Sequence, residues 1–144
     1  IHRATVVENN PNGGDRARAL GEGARVGESL RPRATATAGL HHAVRAEFDL
    51  TYEKGCPRAV MHGFLNVFIA SAMVNAFRIG AEDAAKILEE KNPGAFVFSS
   101  DSISWGPGRL SVEQVDKARE MFALSYGSCS FDEPVAELRS LGLI

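Results

Sequence analysis

Cysteine is scarce in this chain, with Cys56 and Cys129 the only two in 144 residues. Two thiols are too few for a disulfide-stapled scaffold, and a chain of this length can bury a core without one. A single bridge stays open, because sequence spacing does not fix the distance between Cα atoms. No Cys-x-x-Cys pair occurs, which argues against a thioredoxin-type dithiol. Net charge is scarce as well. The formal charge of −2 gives no general reason to expect nucleic acid or an anionic membrane as partner. The first residues lack a basic segment followed by an apolar run, so no signal peptide is read, and the expected compartment is a reducing cytoplasm. The chain starts at Ile1 rather than Met. It is compatible with a processed product, a subunit, or the C-terminal part of something longer. Internal repeats and coiled-coil heptads are absent.

What is present divides near residue 40. Residues 8–39 are rich in Gly, Asn, Pro and Arg, and their only large aliphatics are Leu20, Val26 and Leu30. The run Asn9-Asn10-Pro11-Asn12-Gly13-Gly14 is a dense turn signal. Apart from a short helix at about residues 15–20, this reads as a flexible arm or loop that a partner surface would order. Ile1–Val7 alternates weakly, as a first strand would. Gly21–Gly27, "GEGARVG", resembles a phosphate-binding glycine loop but has neither a preceding strand nor the Lys-Ser/Thr ending.

Residues 40–144 read as one globular domain. Val44, Ala46, Phe48 and Leu50 alternate with Arg45, Glu47, Asp49 and Thr51, which predicts a strand over 43–52. A charge-free run follows from Ala59 to Phe77. Its length permits a membrane span. Its His62, Asn66, Ser71 and Asn75, with much Ala and Val, favour a buried helix instead, because polar groups in hydrocarbon need internal partners. Gly55-Cys56-Pro57 predicts the helix start, with Pro57 at its first position and Cys56 at or near the N-cap. Gly80 closes it.

A second, amphipathic helix follows from Glu82-Asp83 to about Lys91, with Ala84, Ile87 and Leu88 as its apolar stripe. Ala95–Phe98 and Ile103–Trp105 read as a β-hairpin ended by Gly106-Pro107-Gly108. Ser111 and Gln114 form a capping-box pattern for a third helix ending near Gly127. A last helix follows Asp132-Glu133-Pro134, with Val135, Leu138 and Leu141 inward and Gly142 as its stop. The expected fold class is α+β: a small antiparallel sheet with a buried central helix and surrounding amphipathic helices.

Candidate chemistry concentrates on four residues. A thiol at a helix N-terminus is stabilised as thiolate, so Cys56 beside Arg58 is a candidate nucleophile. The competing reading is a half-buried Cys that merely starts a helix. His62 and Asn66, four residues apart on one helix face, are a candidate acid/base with its orienting amide. The competing reading is a core histidine hydrogen-bonded to a carbonyl or to Asn66. Cys129, in "YGSCSFDEP", resembles a nucleophile elbow only in part, since the second Gly of G-x-S-x-G is missing. A capping loop, with Ser130 or Asp132 on free N–H groups and Phe131 as staple, competes with it.

A metal centre from His41 or His42, Cys56, His62 and Cys129 would need spacings that no zinc motif matches. If His41 and His42 belong to the strand, alternation sends their rings to opposite faces. Phe96, Phe98 and Trp105 offer either an aromatic platform or an anchor for the hairpin.

Three functions follow as expectations. The first is a small-molecule enzyme or enzyme subunit, of hydrolase or lyase type, with a pocket beside the central helix. The second is a non-catalytic binding or assembly domain, homo-oligomeric or part of a larger assembly, whose arm orders on binding. The third is a Cys/His metal-binding domain. No cofactor is specified by any motif.

Overall fold

The computed structural model describes residues 4–8, 34–38, 40–126 and 131–144, with side-chain surroundings from Leu40 to Ala123 and from Phe131 onward. The expected helix at 15–20, the Gly21–Gly27 loop and the Ser128–Ser130 segment lie outside the described residues. The fold is α+β. Among the described residues, four α-helices accompany antiparallel sheets of two and three strands and a parallel sheet of three.

The predicted strand is present but shorter. β3 (Ala46–Asp49) pairs antiparallel with β4 (Arg58–Met61), Ala46 opposite Met61 and Asp49 opposite Arg58. Residues 50–57 close the hairpin through Leu50 N–H to Pro57 O at 3.0 Å and Cys56 N–H to Glu53 O at 3.1 Å. On its exposed side Arg58 reaches Asp49 at 3.0 Å and Glu47 at 3.4 Å.

The central helix starts later than the sequence predicts. α1 spans Phe64–Phe77, and the segment expected to be its first turn is strand β4. Pro57 sits just before that strand, where its missing N–H breaks no ladder bond. The free N–H groups at the start of α1 are met by backbone: Phe64 N–H donates to His42 O at 2.8 Å and Leu65 N–H to Ala43 O at 3.0 Å. Chain arriving from residue 40 thus does the work of a capping side chain. Gly63 lies at the crossing, in a parallel bridge with His42.

α1 buries residues on every side, including Val67, Ile69, Ala70, Met73 and Val74. No helix of the described residues is long and apolar enough to cross a membrane. The helix ends at Phe77, not Gly80. Arg78 takes the left-handed conformation, φ 56°, and its N–H reaches Val74 O at 3.1 Å. Gly80 instead caps the start of α2 (Ala81–Glu89), whose Ala84, Ile87 and Leu88 are buried as expected.

The predicted hairpin is present, and a third strand extends it. β5 (Phe96–Phe98), β6 (Ser102–Trp105) and β7 (Gly108–Ser111) form a meander, with Phe96 opposite Trp105 and Phe98 opposite Ile103. Gly106-Pro107-Gly108 therefore turns the chain into β7 rather than ending the sheet, with Gly106 at φ 52°. Phe96 anchors this sheet in the core, while Phe98 is exposed.

α3 (Val112–Met121) opens on the predicted capping box, with both Ser111–Gln114 bonds formed. It stops before Gly127, because Ala123–Tyr126 is β8, paired parallel with β2 (Ala34–Ala38), which pairs parallel with β1 (Ala4–Glu8). α4 (Asp132–Ser140) ends near Gly142, at φ 68°. Its Leu138 packs on the core, but Leu141 is exposed rather than inward.

Candidate functional site

Asn66 is fully buried, and its side chain is hydrogen-bonded at both ends. Its Oδ1 accepts from Arg45 N–H at 2.7 Å. Its Nδ2 donates to Ile87 O at 2.9 Å and Glu90 O at 2.8 Å. Those two carbonyls belong to the C-terminal end of α2, where helix carbonyls lack partners within the helix. Asn66 therefore ties the start of β3, helix α1 and the end of α2 together.

His62 works beside it, although the two do not share a helix face as expected. His62 lies in the link between β4 and α1, outside the helix. Its Nδ1 is 3.1 Å from Leu88 O, which makes it the donor to that carbonyl. With the proton on Nδ1, Nε2 is the ring's acceptor, and Arg45 Nη1 stands beside the ring edge, 3.3 Å from Nε2 and 3.2 Å from Nδ1. Burial lowers the pKa of His62 from its ordinary 6.5, and the Arg45 guanidinium lowers it further. The ring is thus held neutral. Arg45 Nε is itself buried with no hydrogen-bond partner among the described residues.

A pH dependence follows with a definite sign. A folded-state pKa below the unfolded value means that His62 favours folding above about pH 6.5, and that this contribution is lost as pH falls toward the folded pKa. His62→Gln should remove that part of the slope, read as the difference between wild-type and variant urea midpoints from pH 7.5 down to 5. Equal slopes across that range would mean that the buried ring is not responsible.

Cys56 does not cap a helix. It lies in the β3–β4 connection, where its thiol is 3.2 Å from Thr51 O. The positive helix end that would have stabilised a thiolate there is absent, since the chain that follows is a strand. β4 also separates Cys56 from His62 by six residues of mostly extended chain, about 20 Å. Cys129 lies outside the described residues.

His41 and His42 both reach helix α4, because they precede β3 and are not bound by its alternation. His42 Nδ1 is 2.7 Å from Glu137 Oε1, whose other oxygen accepts from Ala43 N–H at 2.8 Å. His41 Nδ1 is 3.7 Å from Glu133, which also accepts from the Tyr52 hydroxyl at 2.6 Å. The His42 ring stacks on Phe48. Two carboxylates four residues apart on α4 thus hold that helix against the segment that caps α1. Among the described residues, no group of three or more His, Cys, Asp or Glu side chains is arranged to hold a metal ion.

Two clefts lie among the described residues, on two sides of α1. One cleft of about 790 Å³ runs between α1 and α3, with Phe64, Phe68 and Val115 in its walls and Asp116, Arg119 and Glu120 at its edge. The other, about 750 Å³, lies between the end of α1, helix α2 and the β6–β7 turn. Its walls are Met73, Phe77, Ile79, Ile87 and Trp105, and its charged edge is Asp83, Lys86 and Arg109. Cys56, His62 and Asn66 line neither cleft.

The second cleft has a defined construction. The β6–β7 turn lies close against α1, with Gly108 packed on the movable end of the Met73 side chain. The Trp105 indole N–H donates to Glu90 at 3.2 Å, which fixes the ring from behind. At the edge, Lys86 pairs with Asp83 at 2.8 Å and Glu82 at 3.6 Å. Asp83 raises the Lys86 pKa above its ordinary value, so this amine is a cation at neutral pH.

Of Phe96, Phe98 and Trp105, the three aromatics that the sequence marks as a platform or anchor, only Trp105 lines this cleft, and its other walls come from α1 and α2. Comparison with known proteins finds no family model, no curated protein and no solved structure that matches this chain.

Proposed function

We propose that this chain is a binding domain for an apolar small molecule, held in the cleft between α1, α2 and the β6–β7 turn. The observation that carries the reading is the cleft itself: about 750 Å³, walled by Phe77, Ile79 and Trp105. Concave, mostly apolar sites of about 300–1,000 Å³ with a few polar groups at the edge are the usual form of small-molecule sites. Phe77 keeps 43% of its surface exposed at the end of a helix whose middle, Ile69 to Val74, is buried. Exposed aromatic surface in a cleft that a second aromatic ring also lines is what an apolar ligand would cover. The reading keeps the expected pocket beside the central helix and assigns no chemistry to His62, Asn66 or either cysteine.

Trp105 makes the test direct, because it is the only tryptophan in the chain. Titration with 8-anilinonaphthalene-1-sulfonate should quench Trp105 emission saturably, with energy transfer to the bound dye. Phe77→Ser, at an exposed helix end, should weaken that binding at least fivefold, a loss of about 1 kcal/mol. Unchanged Trp105 emission across the titration would end the proposal, as would equal affinity in the variant.

A further inference from the structure

Residues 87–90, at the C-terminal end of α2, face two ways. On one side the polar cluster of Arg45, His62 and Asn66 holds their main chain. The Ile87 and Glu90 carbonyls accept from the Asn66 amide at 2.9 and 2.8 Å, and the Leu88 carbonyl accepts from His62 at 3.1 Å. On the other side their side chains build the cleft. Ile87 stands in its wall. One Glu90 carboxylate oxygen accepts from the Trp105 indole N–H at 3.2 Å, and the other accepts from Lys91 and Asn92 N–H at 3.0 and 2.9 Å. The backbone thus fixes the carboxylate, and the carboxylate fixes the ring. One short piece of chain is anchored by the cluster and shapes the cleft.

The cluster suits a neutral His62 and not a charged one. The charged groups that face the ring are Arg45, from the start of β3, and Glu89, from α2, and Arg45 has the larger influence. α1 contributes Asn66, which does not titrate. A neutral imidazole keeps one acceptor, whereas an imidazolium has two donors and the same charge as the guanidinium 3.2 Å away. Arg45 has little freedom to turn aside. Its Nε is already buried without a partner among the described residues, and its backbone N–H is on Asn66. Moving the ring away would break its bond to Leu88 O, and moving the start of β3 would pull on Asn66. Either movement loosens the end of α2.

We propose, resting on the binding reading above, that His62 is a proton switch for the cleft: the neutral ring holds residues 87–90 in the ligand-binding arrangement, and the imidazolium releases them. Ligand and proton then oppose each other. Burial and Arg45 lower the His62 pKa from its ordinary 6.5, so the neutral ring prevails at pH 7.5 and the loss of affinity falls on the acid side. Coupling is reciprocal, so a bound ligand disfavours the imidazolium by the same factor.

The test uses N-phenyl-1-naphthylamine, which stays uncharged from pH 7.5 to 5, with quenching of Trp105 as readout and circular dichroism to show that the protein is folded at each pH. Wild-type affinity should fall about fivefold across that range. His62→Gln should hold its affinity within about twofold, because its amide can still donate to Leu88 O and accept from Arg45. His41 and His42, which pair with Glu133 and Glu137 on α4, are the same in both proteins and cancel in the comparison. In the wild type alone, the His62 ring signals in NMR should titrate at lower pH when the probe is saturating. Equal pH profiles in wild type and variant, or a His62 midpoint that the probe does not move, would end this proposal and leave the cleft standing. No quenching at pH 7.5 would end both.

Discussion

Asn66→Leu is expected to lower the free energy of unfolding by about 3–4 kcal/mol, measured by urea denaturation. The side chain it replaces is fully buried and makes three hydrogen bonds to backbone. Leucine is close in size, so lost volume contributes little. What is lost is the partner of Arg45 N–H and of the Ile87 and Glu90 carbonyls. A buried donor or acceptor left unsatisfied costs about 1–3 kcal/mol, and three are affected, of which the Arg45 and Glu90 groups are only partly buried.

Asn66→Asp separates the contributions. It keeps the acceptor for Arg45 and turns a carboxylate toward two carbonyl oxygens, so it should cost at least as much as leucine at pH 7. Its stability should recover on acidification, as the carboxyl gains the proton it needs to donate. If Asn66→Leu unfolds within 1 kcal/mol of wild type, the amide is not the tie between β3, α1 and α2.

How far this could be read from the sequence depends on how local each determinant is. The capping box of Ser111 and Gln114 spans three residues and both its bonds form. The hairpin of Phe96–Phe98 with Ser102–Trp105 is equally local, and it was legible. The run from Ala59 onward was legible as apolar but not as two elements. A short apolar stretch such as Ala59-Val60-Met61 fits a strand or a helix equally by periodicity. What decides is its partner, Ala46–Asp49, a tertiary fact. Asn66 and His62 were recognised as polar groups needing partners, but the partners lie 21 to 26 residues away in α2 and its end. The second cleft was the least legible of all, since α1, α2 and the β6–β7 turn meet only in the folded chain.

Gly63→Ala is expected to be at least as damaging, with a loss of about 3 kcal/mol or more. The reason is contact, not backbone freedom, since φ at Gly63 is −101°, which any residue adopts. A Cβ there would run into the backbone N and Cα of Val44 and the carbonyl oxygen of Ala43. Main chain cannot turn aside as the end of a side chain can. Relief would require the 42–44 segment to move away from α1, breaking the bonds from Phe64 and Leu65 N–H to His42 and Ala43 O. The same segment carries the His42 and Ala43 contacts to Glu137, so the strain would reach the docking of α4.

Two other glycines serve as controls. Gly80 has open space around its Cβ direction and an ordinary φ of −75°, so Gly80→Ala should be nearly neutral. Gly55 also has open space but sits at φ 79°, and alanine there should cost about 1 kcal/mol from backbone strain alone. The expected order of unfolding midpoints is therefore Gly80→Ala highest, Gly55→Ala next and Gly63→Ala far below. A Gly63→Ala midpoint no lower than that of Gly55→Ala would mean that the 42–44 segment and α1 do not cross this closely, and that the start of the central helix is held some other way.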